Sequence, residues 1–333
     1  YKKEDFQIPK GLEIPVQFWI DIYSKYTTDQ GLIHDSVYVD LIYETLDFTP
    51  ISMRTDLSAV QKEKLKKKMI KSSKERVKDI LTRISKTKDA SLLNSDEKKI
   101  WDYFEKVGKP NHEAKEALGR GRLRFQLGQR DRMVQAIYFS GRYLEDFEKV
   151  FKDNGLPIEL TRLVFVESSF NVLARSKVGA SGLWQIMKYT MRPYQKKSNA
   201  VDLRNHPIVA TETAAKILKF NYTLLQDWPL AITGYNHGPH GVHKHTKKNK
   251  TRDIVELIKN VTSKKRLGFA SRNFYPSFLA ALEVESKAPQ YFGTLIWSQP
   301  LEAIELSLLK PLMYKDLLAL FDNYYLKAQV FNP

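Results

Sequence analysis

The chain of 333 residues contains no cysteine. That absence excludes disulfides, a thiolate nucleophile and any Cys-ligated metal site, and leaves the redox compartment open. Long hydrophobic runs are missing too: no stretch approaches the roughly 18–20 apolar residues that a membrane-spanning helix needs. Val/Ile/Thr alternation is scarce, and repeats and low-complexity linkers are absent. Acids are lacking in one particular place. After Glu167 the 34 residues 168–201 hold no Asp or Glu but six Lys or Arg. Chemistry placed there has to run on a single carboxyl group among polar, aromatic and basic neighbours.

What is present reads as globular. Hydrophobic residues make up 42% and charged residues 28%, and this length favours roughly two domains. The chain starts at Tyr1, as expected of a mature or trimmed product whose targeting segment is lost from view. Net charge is +16, which suits polyanionic partners: nucleic acid, anionic lipid or an acidic wall polymer. Much of the charge sits in residues 62–88. There Leu65, Met69, Val77, Ile80, Leu81 and Ile84 recur at helical spacing, so the segment reads as an amphipathic helix with a solvated basic face.

Helical periodicity dominates elsewhere. The pattern predicts helices at Ile14–Tyr26, two or three over 56–106, one long helix from about Arg130 to Asp153, and others at Ile158–Glu167, 208–226, Leu230–Tyr235 and Phe274–Glu285. A turn is expected at Asp29-Gln30-Gly31, with a short helical or extended piece near Val37–Thr45. Asn94 with Glu97 three residues on forms a capping-box signature, with Ser95 as the alternative cap, and Gly155-Leu156-Pro157 is a helix terminator. Residues 172–188 break the helical pattern, and 174–176 and 183–186 read as two short strands joined across Gly179–Gly182. From about Ile296 the tail changes character: AIELSLLKP alternates like a strand, and a short helix and an Asn-Pro stop follow.

Glu167 falls at the C-terminal end of a helix that Ile158, Leu160, Leu163, Val164 and Val166 make apolar on most sides. The negative end of the helix dipole and an apolar surround both disfavour an ionised carboxylate, the condition for a general acid near neutral pH. Taken alone, such a Glu is more often a structural carboxylate holding a hydroxyl or backbone amide. Its company is polar and aromatic: Ser168, Ser169, Ser176, Gln185 and Tyr235-Asn236. Amides and hydroxyls that read sugar hydroxyls, with rings that stack on pyranose faces, make a sugar site.

Three elements then carry a resemblance: Glu167-Ser168-Ser169-Phe170-Asn171; Ser176 with Gly179-Ala180-Ser181-Gly182-Leu183-Trp184-Gln185-Ile186-Met187; and Ala231-Ile232-Thr233-Gly234-Tyr235-Asn236-His237-Gly238. In order, they are similar to the soluble-lytic-transglycosylase family of peptidoglycan-cleaving enzymes, with a goose-type lysozyme fold. The likeness is nearest to its membrane-bound lytic murein transglycosylase D subgroup and extends over roughly 10–290. It includes Gly121–Arg132, Leu156–Leu160 and Arg272–Phe278.

The resemblance implies a mainly α fold: a lysozyme-like domain over 116–290 with a small β-hairpin region, wrapped by N-terminal helices over 1–115. A short α/β tail over 291–333 resembles the start of a LysM-type segment. It also implies roles. Glu167 would protonate the glycosidic oxygen between N-acetylmuramic acid and N-acetylglucosamine, then act as base on the muramyl C6 hydroxyl and close a 1,6-anhydro ring. Ser176 would hydrogen-bond Glu167; Gln185 and Asn236 would hold the sugar, and Met187 and Tyr235 would shape the cleft. Such a reaction needs one carboxyl, whereas most glycosidases need two, and nothing in the sequence aims Asp202, Glu212 or Asp227 at the site.

Two features depart from the pattern. The subgroup commonly has Tyr where Phe274 stands, so Tyr275 is expected to take its place in the cleft; without it water competes as nucleophile and the outcome is lysozyme-type hydrolysis. His237, His240, His243 and His245 crowd one loop. Their spacing is compatible with zinc, but no second ligand cluster accompanies them, and the reading adopted is pH-dependent positive charge at one rim of the cleft. No cofactor and no metal are expected. The expected partner is the peptidoglycan glycan strand rather than nucleic acid, for a monomer in the bacterial cell envelope. It would sit in the periplasm or at the outer membrane, or be secreted, with wall or membrane association through terminal segments. A non-catalytic wall-binding scaffold is the other class to exclude.

Overall fold

A computed structural model of the protein describes residues 6–119, 121–194, 202–260, 267–301, 312–325 and 328. It is mostly helical with one small sheet. The chain divides into two compact units, each discontinuous in sequence: Ile8–Arg132 with Asp253–Ala280, and Met133–Arg252 with Tyr1–Gln7 and Ala281–Pro333.

In the first unit, a helix over Glu13–Ser24 leads into three antiparallel strands in the order β2-β1-β3: β1 Gln30–Asp35, β2 Ile42–Asp47 and β3 Leu123–Leu127. The sequence placed a turn at 29–31, but Gln30 already pairs with Asp47. Gly31 allows this, because a Cβ there would lie 2.3 Å from the Phe125 ring that covers it. The Ala59–Lys86 helix packs Val77, Leu81 and Ile84 into one core with Ile33, Leu46, Phe48, Ile100 and Phe104. Three of its nine lysines are paired with acids: Lys66 with Asp29 at 3.1 Å, Lys67 with Glu63 at 3.3 Å and Lys78 with Glu75 at 2.8 Å.

The Gly121–Arg132 stretch serves this unit structurally. Arg122 Nε donates to both oxygens of the fully buried Asp35 at 3.0 Å, and Tyr43 and the Val37 and Tyr38 amides complete the carboxylate's partners.

The capping box forms as expected. Asn94 accepts the Glu97 amide at 2.9 Å, and Glu97 Oε2 accepts the Asn94 amide at 3.1 Å. Asn94→Ala should therefore lower stability by about 1 kcal/mol in denaturant unfolding, because two orphan amides at the helix start lose their acceptors.

In the second unit, the long helix expected from Arg130 to Asp153 is two helices, Arg130–Ser140 and Leu144–Asp153. The cause lies 150 residues away in sequence. Ser298 donates its amide to Tyr138 O at 2.9 Å and accepts Arg142 Nε on its hydroxyl at 3.1 Å, and a Cβ at Gly141 would lie 2.2 Å from the Ser298 carbonyl oxygen. The helix opens at a glycine so that a crossing segment can dock. The terminator at Gly155 behaves as read: φ is +68° and the Leu156 amide closes back on Phe151 O at 2.9 Å.

The helix expected over Ile158–Glu167 is a 3-10 turn, Ile158–Arg162, followed by a short α-helix, Leu163–Ser168. Pro207–Leu225, Trp228–His237 and Pro239–Asn249 follow, and Ala210, Ala214, Ile217, Leu218 and Leu225 form the buried stripe that the periodicity indicated. The strand-like 303–311 lies outside the described residues; Tyr314–Ala319 is the short tail helix.

Candidate active site

Glu167 is the last residue but one of the six-residue Leu163–Ser168 helix. The chain then reverses through two consecutive left-handed residues, Ser169 at φ +51° and Phe170 at φ +56°. Neither is glycine, so the reversal is strained, and strain of this kind collects at functional positions. Packing holds it: Phe170 is buried, stacks on Phe147 and meets Phe165 edge-on at 4.8 Å.

The carboxyl of Glu167 is set in a desolvating surround, though the residue keeps a partly open face. Burial alone pushes its pKa up to about 8. Among the described residues neither a hydrogen bond nor a charged group accounts for any of that rise, so the group is a neutral acid at pH 7 because water is kept from it.

Residues 171–187 form a tight loop rather than the expected hairpin. Only isolated bridges are present, Arg175 with Ser181 and Ser181 with Ile186. The turn is too tight for a ladder: the Gly182 amide donates to Ala174 O at 2.9 Å, and Gln185 sits in the left-handed region at φ +47°. The Gln185 amide nitrogen donates to Ala174 O at 3.0 Å and Gly182 O at 2.8 Å, which leaves its carbonyl oxygen as the group open to a ligand. Ser176 Oγ accepts the Ala180 amide at 2.9 Å and retains its own proton for another acceptor. Met187 is half-buried at the start of the short Lys188–Met191 helix.

The loop is anchored from behind by residues that the sequence did not single out. Buried Arg204 donates to Gly179 O at 2.6 Å and Ile186 O at 3.1 Å, and Asp202 accepts from its Nε at 2.9 Å. Ser181 donates to Asn205 at 2.7 Å. Trp184 is fully buried, stacks on Phe151 at 5.5 Å and donates its indole N–H to Thr211 at 2.8 Å. A detectable signal was the Asp-Leu-Arg triplet before a Pro-initiated helix, which pre-pairs an arginine at a turn.

This also settles the acids after the empty window. Asp202 is spent on Arg204, Asp227 caps the Trp228–His237 helix by accepting the Leu230 amide at 2.8 Å, and Glu212 is exposed on the Pro207–Leu225 helix.

Tyr235 donates its hydroxyl to Trp184 O at 2.9 Å and so ties the third sequence element to the second. Its own pKa is raised well above the ordinary value, by burial first and then by the charge of Glu167, which brings Tyr235 within electrostatic range of the acid. Asn236 follows it and is exposed. Glu167, Ser176, Gln185, Met187, Tyr235 and Asn236 thus all belong to one compact unit. Tyr275 falls in the other unit, where it is buried and stacks on Phe278 at 6.4 Å; Phe274 beside it is buried too.

The histidines lie at the end of one helix and along the next. The His237 and His245 rings meet edge-on at 5.1 Å. Burial, then the neighbouring His245, lowers the pKa of His237. Among the described residues no group of three or more His, Asp or Glu side chains is placed to hold a metal.

Residues 147–258, which hold the desolvated acid on its short helix, the braced loop and Tyr235, fit the family described as "Transglycosylase SLT domain". The matching segment contains all three elements above and excludes Tyr275. Among individual proteins, the chain is similar to "Membrane-bound lytic murein transglycosylase D" of Escherichia coli strains K12 and O6:H1. Each is 36% identical over 103 residues, which is 30% of this chain and 23% of the relative. The chain therefore spans about a quarter of the length of the curated relatives it matches. Among solved structures, an inactive mutant of the lytic transglycosylase Slt from Pseudomonas aeruginosa aligns over 63% of this chain and 32% of its own, at 19% identity and a TM-score of 0.38.

Proposed function

We propose that the protein is a peptidoglycan lytic transglycosylase of the cell envelope that cleaves the β-1,4 bond from N-acetylmuramic acid to N-acetylglucosamine and leaves 1,6-anhydro-muramyl ends. The observation that carries this reading is Glu167, held protonated to about pH 8 by burial alone, while the next three acids, Asp202, Glu212 and Asp227, have structural or solvent-facing positions. In that state Glu167 donates its proton to the glycosidic oxygen. The carboxylate so formed then takes the proton of the muramyl C6 hydroxyl, whose oxygen closes on C1. One carboxyl serves as acid and then base, and the second carboxylate of an ordinary glycosidase is not needed.

In this reading Ser176 offers its hydroxyl proton to the Glu167 carboxylate, and the Gln185 carbonyl and Asn236 amide bind sugar hydroxyls. Met187 and Tyr235 shape the cleft. The curated relatives are named as membrane-bound; among the described residues of this chain no helix is long and apolar enough to cross a membrane.

Mass analysis of fragments released from purified sacculi tests the reaction. Ends one water lighter than reducing sugars are expected. Reducing ends alone would replace the reading with hydrolysis, and no release by an active preparation would replace it with a binding scaffold.

A further inference from the structure

Charge on this chain is spread over two helices of very different character. Ala59–Lys86 carries nine lysines and two arginines, and acids stand among them: Glu63, Glu75 and Asp79 on the helix itself and Asp29 beside it, with Lys66, Lys67 and Lys78 each paired to one. Pro239–Asn249 has no acid of its own, and none stands on the preceding Trp228–His237 helix. The Pro207–Leu225 helix packed against both carries a single one, Glu212, against Lys216 and Lys219.

Two of these helices carry exposed lysines, Lys216 and Lys219 on Pro207–Leu225 and Lys244, Lys247 and Lys248 on Pro239–Asn249. Val242 and Thr246 are the buried side of Pro239–Asn249. His240, Lys244 and Lys247, at i, i+4 and i+7, lie on the opposite face and are exposed, a row about 10 Å long. The His240 ring meets the Phe220 ring of the Pro207–Leu225 helix edge-on at 6.0 Å. That contact joins the row to the exposed side of the neighbouring helix, where Phe220 is 47% exposed and Lys216 precedes it by one turn. An exposed ring flanked by lysines with no acid between them suits a sugar face that bears carboxylates: the ring stacks on the pyranose and the ammonium groups meet the anions.

We propose that this face is a second, non-catalytic contact with the wall polymer, in which Phe220 packs on a sugar ring and Lys216, Lys244 and Lys247 bind carboxylates of the peptide stems. The proposal rests on the functional reading above for the identity of the polymer. The face stands in the same compact unit as Glu167, and its helix starts four residues after Tyr235. The contact acts on encounter and retention rather than on the bond-breaking step.

Pelleting assays with sacculi decide it. Glu167→Gln supplies a non-cleaving parent, and Lys244→Gln/Lys247→Gln and Phe220→Ala are added separately to it; circular dichroism melts confirm folding. The double lysine variant is expected to bind native sacculi about fivefold more weakly at low salt, with the difference vanishing in molar salt. On sacculi whose carboxylates have been capped as amides, parent and lysine variant should bind alike, while Phe220→Ala stays weaker on both. In the cleaving protein the lysine pair should raise KM without changing kcat.

Equal binding of the folded lysine variant to native sacculi overturns the proposal, as does an equal loss on capped sacculi. The two readings separate cleanly. Release of anhydro fragments with no lysine effect sinks only the second contact. Lysine-dependent binding without fragment release sinks only the transglycosylase reading.

Discussion

Glu167→Gln abolishes fragment release, by at least roughly 10²–10⁴-fold, and at the same time makes the protein more stable at alkaline pH. Both effects come from one cause. The amide keeps the shape of the protonated acid and has no proton of comparable acidity to give. Wild-type turnover should hold on the acid side and fall as pH rises through about 8, where Glu167 loses its proton.

The stability consequence has a definite sign. The unfolded carboxyl ionises near 4.5 and the folded one near 8. Between these values the native state holds a proton that the unfolded chain has released, so wild-type stability declines as pH rises from about 4.5 to about 8. The decline is about 2–4 kcal/mol once the partly open face of the group is allowed for. Glu167→Gln removes this titration. Melting temperatures of the two proteins should coincide at pH 4 and diverge to a plateau above pH 8, with the variant higher. A constant offset at every pH would show that burial does not set the acid.

Gly182→Ala should unfold the site loop, while Gly179→Ala three residues away is tolerated. Both glycines have left-handed backbones, at φ +77° and φ +94°, so both substitutions carry a strain of about 1–2 kcal/mol. Space separates them. A Cβ at Gly179 meets nothing within 4 Å; one at Gly182 would lie 2.1 Å from Arg204 O and 3.0 Å from its carbonyl carbon. Both atoms are backbone, in the turn whose Arg204 side chain holds Gly179 O and Ile186 O, so no rotamer change relieves the clash. Gly182→Ala is expected to lose about 3 kcal/mol or more, and activity with it. Gly179→Ala should lose about 1 kcal/mol and keep most of its turnover. Thermal denaturation and fragment release measure both, and equal behaviour of the pair would deny the loop its anchoring on that turn.

These contrasts show where sequence reading succeeded. The Asn94–Glu97 cap, the Gly155 terminator and the apolar stripe of Pro207–Leu225 are local, and local signals survive folding. The desolvated setting of Glu167 was legible for the same reason, through the apolar residues of its helix. What escaped were relations between distant segments. Ser298 splits the Arg130–Asp153 periodicity at Gly141. Arg204 closes a loop more than twenty residues before it, and Phe125 covers Gly31 so that a strand forms where a turn was expected. No window of ten residues contains both partners of any of these contacts. Asp202 shows the converse: its acid was noticed, but its arginine partner two residues on was not weighed.

The docking of Ser298 against Gly141 bears on how the protein can be cut. The segment that matches the transglycosylase domain, 147–258, looks like a natural fragment, yet it omits both sides of that joint. It also omits Glu285, which with Glu148 holds Arg162 at the 3-10 turn before the acid. A fragment trimmed to the domain match would carry every group assigned to the reaction, and would leave Arg162 with half its counter-charge. A piece that keeps this packing whole is therefore bounded by crossings of the chain and not by its motifs, and runs at least from Tyr138 to Ser298.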